Sequence, residues 1–224
     1  MPMKGSGTPT LAEIDRSAGG VGWLAFPDED MQRASHALAT EEGVYLVDPV
    51  DADGLDDLLA EFGDVAGCVV LLDRHNRDAD TIARRHDVPV YRPRWMDSID
   101  SNYRATVEDL GSELGTTGYE VHELYDTPVW REAYLYHPDE RTLVVPEALG
   151  TATYFRAGDE RVGVHPMLRM TPPRDLARFD VERLRVGHGA GVTDRASNAV
   201  RDAIEGSRRR APKAYLGALR GMLD

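Results

Sequence analysis

The stretch GCVVLLDRHNRDAD, residues 67–80, runs from an apolar segment straight into a cluster of ionisable side chains. Cys68-Val69-Val70-Leu71-Leu72 reads as a buried strand, and DADTIARRH (78–86) as a short helix after it. A charged cluster at such a junction is where a metal-dependent site would sit. This one offers a single histidine, His75, between Arg74 and Asn76, with Arg77 close by, which is an unusual set for holding a cation.

Working outward, GWLAF (22–26), SHALA (35–39) and GVYLVDPV (43–50) read as strands separated by polar turns. DADGLDDLLAEFG (51–63) spaces Leu55, Leu58, Leu59 and Phe62 by three and four, the period of an amphipathic helix stopped at Gly63. AGCVVLL (66–72) and VPVYRP (88–93) are further strands. Between residues 94 and 117 the helical candidate is ATVEDLGSEL, 105–114. Residues 119–124, 131–137 and 141–148 are strand-like, and a last strand lies within 176–189, before the glycine-flanked His188. The C-terminus reads as two helices, 193–210 and 212–223, the second opened by Pro212. Strands crowding the middle of each half, with helices after selected strands, predict an α/β fold of two facing sheets with helices outside, a four-layer αββα sandwich. Residues 1–10 have the composition of a flexible N-terminus, and 11–224 are expected to form a single domain.

Composition narrows the function classes. The chain has 224 residues, 42% of them hydrophobic and 29% charged, values that suit a globular protein. No apolar run is long enough for a membrane span and no signal-peptide pattern opens the chain, so a cytoplasmic location is expected. Its net charge of −13 argues against nucleic acid and anionic membranes as partners. Lysine occurs only at positions 4 and 213, and the other basic residues are arginines. An Asp-rich, Lys-poor surface resembles proteins of salt-loving organisms, such as a halophilic archaeon, so the acidity reports habitat more than binding. Cys68 lies in a predicted strand and is expected to be a core residue.

Several of these segments together resemble the metallo-β-lactamase superfamily. LLDRHNRDAD (71–80) occupies the place of that family's T-H-x-H-x-D-H motif, after a buried strand and before a short helix. Upstream, GVYLVDPV resembles the strand ending in aspartate. Downstream, YLYHPDERTLVVPEAL looks like the hairpin that precedes the bridging aspartate, and LRVGHGAGV is similar to the closing strand with its last histidine ligand. The resemblance implies that Asp78 is the motif aspartate, catalytic and metal-ligating, with Glu147 in place of the bridging aspartate, His188 as the retained ligand and Asp126 in place of a lost histidine. It also puts Arg74 and Asn76 where two motif histidines belong, with His75 one residue out of step; these three would line the pocket.

A permanent guanidinium cation neither coordinates a metal nor tolerates one beside it. The departure therefore implies a degenerate metal site without cofactor, in a non-hydrolytic protein that binds a small molecule or another protein. The alternative is a metal-dependent hydrolase with one divalent ion, Zn, Mn or Fe, on an Asp/Glu/His set. On the first reading Arg74 enters the pocket and hydrogen-bonds Asp78 or Glu147, replacing the metal electrostatically. RPRW (92–95) is either an anion clamp or a pair of surface arginines, and Met167, Leu168 and Met170 are either a lid or core. The stretch 207–213 carries three arginines at a helix end, where cations suit the macrodipole.

Overall fold

A computed structural model describes Gly5 and residues 7–221, with side chains described as far as residue 216. Part of the expected loose N-terminus and the end of the last helix lie outside the described residues. Within them, Thr10 N–H donates to the Ala25 carbonyl at 2.9 Å.

The first sheet holds seven strands in chain order: β1 (Ala12–Ser17), β2 (Gly20–Leu24), β3 (Ala34–Thr40), β4 (Gly43–Val47), β5 (Val65–Val69), β6 (Val90–Pro93) and β7 (Val107–Leu110). The first four pair antiparallel, and β4 to β7 run parallel. A second sheet uses β8 (Glu120–Thr127), β9 (Trp130–His137) and β10 (Thr142–Val145) as an antiparallel meander. The short pair β11 (Leu149–Gly150) and β12 (Gly163–Val164) follows, and β13 (Arg183–Val186) then joins β10 in parallel.

Side-chain alternation along the second sheet builds the layers. Ala133, Leu135 and Val144 enter the core shared with the first sheet. Tyr134, Tyr136, Leu143 and Val145 face the other way and meet Ala199, Val200, Ala203 and Ile204 of α3 (Ala196–Gly221). On the far side, α1 (Leu55–Ala60) and α2 (Ala79–His86) bury Leu55, Leu58, Leu59 and Ile82 against the first sheet. The result is the expected αββα sandwich. No helix among the described residues is long and apolar enough to cross a membrane.

Two expectations are corrected. The helix predicted at 105–114 is absent: Val107–Leu110 is an edge strand paired in parallel with β6, and residues 94–102 form a 3-10 helix instead. Edge exposure leaves Glu108 and Asp109 in solvent, which is why the segment imitates an amphipathic helix. The two C-terminal helices are one, with Pro212 inside it. Buried Ala211 and Ala214 flank the proline, and this packing outweighs the lost backbone hydrogen bond.

Candidate metal centre

Four strand ends meet at one rim of the sandwich. Asp48 follows β4 in a left-handed conformation (φ 45°), which turns its carboxylate back along the neighbouring strand. Oδ1 accepts the Leu71 N–H at 3.1 Å, and Oδ2 lies 2.9 Å from His75 Nδ1. The extension of β5 delivers His75, β10 delivers Glu147 and β13 delivers His188. Gly187 is required for the last placement, because a Cβ there would lie 2.1 Å from the Pro146 carbonyl oxygen. Close passage of these two backbones is what sets His188 beside Glu147.

His75, Glu147 and His188 are all buried, and each offers one ligand atom, all within 4.8 Å of one another. Both inner nitrogens face the same oxygen: His75 Nε2 is 2.9 Å and His188 Nε2 2.8 Å from Glu147 Oε2. Both outer nitrogens also face acceptors, Asp48 Oδ2 at 2.9 Å and the Met31 carbonyl at 2.8 Å. A neutral imidazole carries one N–H. A ring that donates outward therefore turns a lone pair toward the Glu147 carboxylate, and a cation must lie between them. That cation is a proton or a metal.

The donor set fits a metal. Two ligands on bonds of about 2.1 Å stand about 3.0 Å apart at right angles and about 3.4 Å apart at the tetrahedral angle, so the side chains would spread by a few tenths of an ångström to take an ion. Outer acceptors on both imidazoles are the usual means of fixing tautomer and ring orientation in ligating histidines. The two rings differ in basicity. Burial lowers the His188 pKa despite the attraction of Glu147. Burial and Arg77 push His75 down, yet Asp48 and Glu147 outweigh them and raise it. Glu147 is held well below the ordinary carboxylate range, since His188 and His75 overcome the opposing effect of burial.

Other residues position Glu147. Its own backbone N–H and that of Ala148 both donate to Glu132 Oε1 at 2.8 Å, and Trp130 Nε1 donates to Glu132 Oε2 at 2.6 Å. Burial pushes Glu132 up to about 7 against these donors. His165 lies 3.4 Å from Glu147 Oε1. Burial lowers its pKa to about 4, and its Nδ1 accepts the Met167 N–H. With Nδ1 accepting, any proton on the ring is on Nε2, the nitrogen that approaches Glu147 without reaching hydrogen-bond geometry.

The remaining expected site residues lie elsewhere. Asp78 Oδ2 accepts the Asp51 N–H at 2.9 Å, at the N-terminus of α2, outside the His75/Glu147/His188 group. Asp126 is on β8 and pairs with Arg131 at 3.2 Å. Asn76 accepts a hydrogen bond from Tyr103 Oη at 2.6 Å. Arg74 does not bond Asp78 or Glu147, which corrects the cation-for-metal expectation: it is exposed, 3.8 Å from Asp73, with its guanidinium 4.1 Å from the centre of the Trp130 ring. The arginine turned inward is Arg77, which donates to the carbonyls of Ala34, Asp48 and Gly187. Setting His75 on the second histidine of T-H-x-H-x-D-H shifts the register by one and places Asp73, Arg77 and Asp78 at the other motif positions. Asp48, Glu132 and His165 were not singled out from sequence. The strand-ending aspartate in GVYLVDPV was a signal for the first, and no spacing pattern marks the other two. Of the two arginines in RPRW, Arg92 is buried and paired with Asp100 and Asp109, not open for an anion.

No family model and no curated protein matches the sequence. Solved structures do match. DIM-1 metallo-β-lactamase aligns with a TM-score of 0.62 at 13% identity, over 90% of this chain and 100% of that one. A metallo-β-lactamase from Pontibacter korlensis aligns with a TM-score of 0.62 at 12% identity, over 88% and 99%. TTHA1623 in a di-iron-bound form aligns with a TM-score of 0.55 at 19% identity, over 75% and 93%. Likeness at this level of identity establishes architecture, and the chain has the metallo-β-lactamase fold.

Proposed function

We propose that the protein binds one divalent metal ion through His75 Nε2, Glu147 Oε2 and His188 Nε2, and is a metal-dependent hydrolase of reduced, mononuclear type. The observation that carries this reading is the convergence of two outward-anchored imidazoles on one carboxylate oxygen. Two histidines and a carboxylate suit zinc, iron(II) or manganese. A metal there would supply Lewis acidity toward a carbonyl or phosphoryl oxygen and make water acidic enough to react near neutral pH. The chain's own part is positional. Asp48 and the Met31 carbonyl fix the two rings, Glu132 fixes the Glu147 backbone, and the His165 ring packs beside the far carboxylate oxygen. Arg77 limits the site to one ion, because with His75 set on the second motif histidine its charge falls at the position of the motif aspartate.

A second reading, a non-hydrolytic binding protein, draws on that same arginine: its cation beside Asp48 and Glu147 offsets charge that a metal would otherwise neutralise. Hydrolysis of carboxylic, thioester and phosphate esters by protein carrying one equivalent of zinc, manganese or iron(II) separates the two. The hydrolase reading expects turnover abolished by chelation, restored by metal, and lost in His188→Ala. No turnover with any metal, at full metal occupancy, would leave the binding reading standing.

A further inference from the structure

Arg74 stands apart among the arginines near the site. Arg77 donates to three carbonyls, Arg92 is paired with Asp100 and Asp109, and Arg33 makes a bidentate pair with Glu29. Arg74 makes no hydrogen bond among the described residues, and Asp73, its nearest carboxylate, is 3.8 Å away. In a chain with 39 acidic and 26 basic residues, an arginine with one loose ion pair and no hydrogen bond among the described residues keeps most of its N–H edge unused.

Nor is it loose. The guanidinium is stacked 4.1 Å from the centre of the Trp130 ring, and Trp130 is itself tied to buried Glu132 through its indole N–H. Stacking holds the plane of the guanidinium and leaves its N–H edge available. The Trp130 ring in turn packs edge-on to His165 at 4.9 Å, and His165 contacts Glu147. A fixed, unspent hydrogen-bonding fork thus stands one indole and one imidazole away from the candidate metal ligands. Two apolar side chains adjacent in sequence to this chain of contacts are also exposed: Val129, just before Trp130, at 75%, and Met167, two residues past His165, at 68%.

We propose that Arg74 is the anion anchor of the site, its guanidinium held on the Trp130 ring and its N–H edge taking the carboxylate or phosphate group of a small organic ligand. The fork geometry of guanidinium matches the two oxygens of either group, and a planar donor already held on a ring loses little freedom on binding. The inference rests on the proposed metal site only for where the reacting centre lies, since anion binding at Arg74 needs no metal.

The test follows the indole N–H resonance of Trp130 during titration with benzoate, phenyl phosphate and neutral phenol, in chelator-treated and in zinc-loaded protein. Benzoate or phenyl phosphate is expected to shift it in metal-free protein, with phenol much weaker; which anion binds tighter assigns carboxylate or phosphate. Arg74→Met should weaken binding at least about tenfold, the scale of one lost charge-assisted pair. Arg74→Lys should fall between, keeping charge without the fork, and Arg209→Met on the exposed face of α3 should change nothing. Equal binding in Arg74→Met, an equal response to phenol, or no response with or without zinc would overturn the proposal. Binding that requires zinc and ignores Arg74→Met would overturn the anchor while supporting the metal site. Arg74-dependent binding in a protein that takes up no zinc would support the anchor and sink the metal reading.

Discussion

Two buried carboxylates in this protein are neutralised in different ways. Glu160 is held by Arg169, whose side chain is fully buried, by Arg210, and by the Ala157 N–H. The Glu147 carboxylate contacts imidazoles, His75, His188 and, more distantly, His165, and the Arg77 cation acts on it only at longer range. Guanidinium is a permanent cation and leaves no place for another ion, so the Glu160 cluster is a structural joint between the loop after β11 and α3. Imidazole gives up its proton near neutrality, so the positive charge beside Glu147 is exchangeable. Similar burial and the same acid therefore give a closed joint in one place and a candidate metal centre in the other.

The largest expected effect lies in the closed joint. Arg169→Met should destabilise the protein by about 3–5 kcal/mol in urea unfolding, because Glu160 would remain buried with much of its compensation gone. A loss under about 1 kcal/mol would mean that the two clusters do not differ in the way described. Glu147→Gln tests the exchangeable centre. Zinc affinity should fall at least about 100-fold, about 2.7 kcal/mol, measured by calorimetry, while Glu160→Gln leaves zinc affinity unchanged.

The histidines sharpen the contrast at a smaller scale. His36 and His75 are both buried, yet burial and Arg185 push His36 down to about 3, while Asp48 and Glu147 raise His75. For His36 the folded pKa lies below its ordinary value of 6.5. Its neutral form is favoured in the fold, so its contribution to stability is complete above 6.5 and is lost as pH falls toward 3. The loss should be about 1.4 kcal/mol per pH unit. His36→Gln, which can keep the bond to the Val186 carbonyl, should flatten that slope; an unchanged slope would assign acid sensitivity to other groups. Smallest is the effect of salt. Screening of the −13 charge should raise the melting temperature by a few degrees from dilute buffer to molar potassium chloride. A flat response would remove self-repulsion from the account.

The contrast also explains what was legible in the sequence. Periodicity revealed β5, α1 and α2, because each buries a regular apolar face. It failed at β7, whose exposed edge carries acids, and at Pro212, where packing overrides a local signal. In the site, Glu147 and His188 were legible because each follows a recognisable strand. His75 was noticed but not given a ligand's role, since the motif register was set on Asp78, one residue out of step. Glu132 and His165 were invisible for a different reason. Their contacts with Glu147 span 15 and 18 positions and depend on the second sheet and the loop after β12 closing around one carboxylate. Only the folded arrangement creates that relation.

Metal stoichiometry tests most directly whether His75, Glu147 and His188 form one cation site. Native mass spectrometry of protein equilibrated with zinc should find one ion per chain, absent in His75→Ala and His188→Ala and retained in Asp78→Asn and Asp126→Asn. Zinc uptake that survives loss of both histidines, or that disappears with Asp78→Asn instead, would contradict the account.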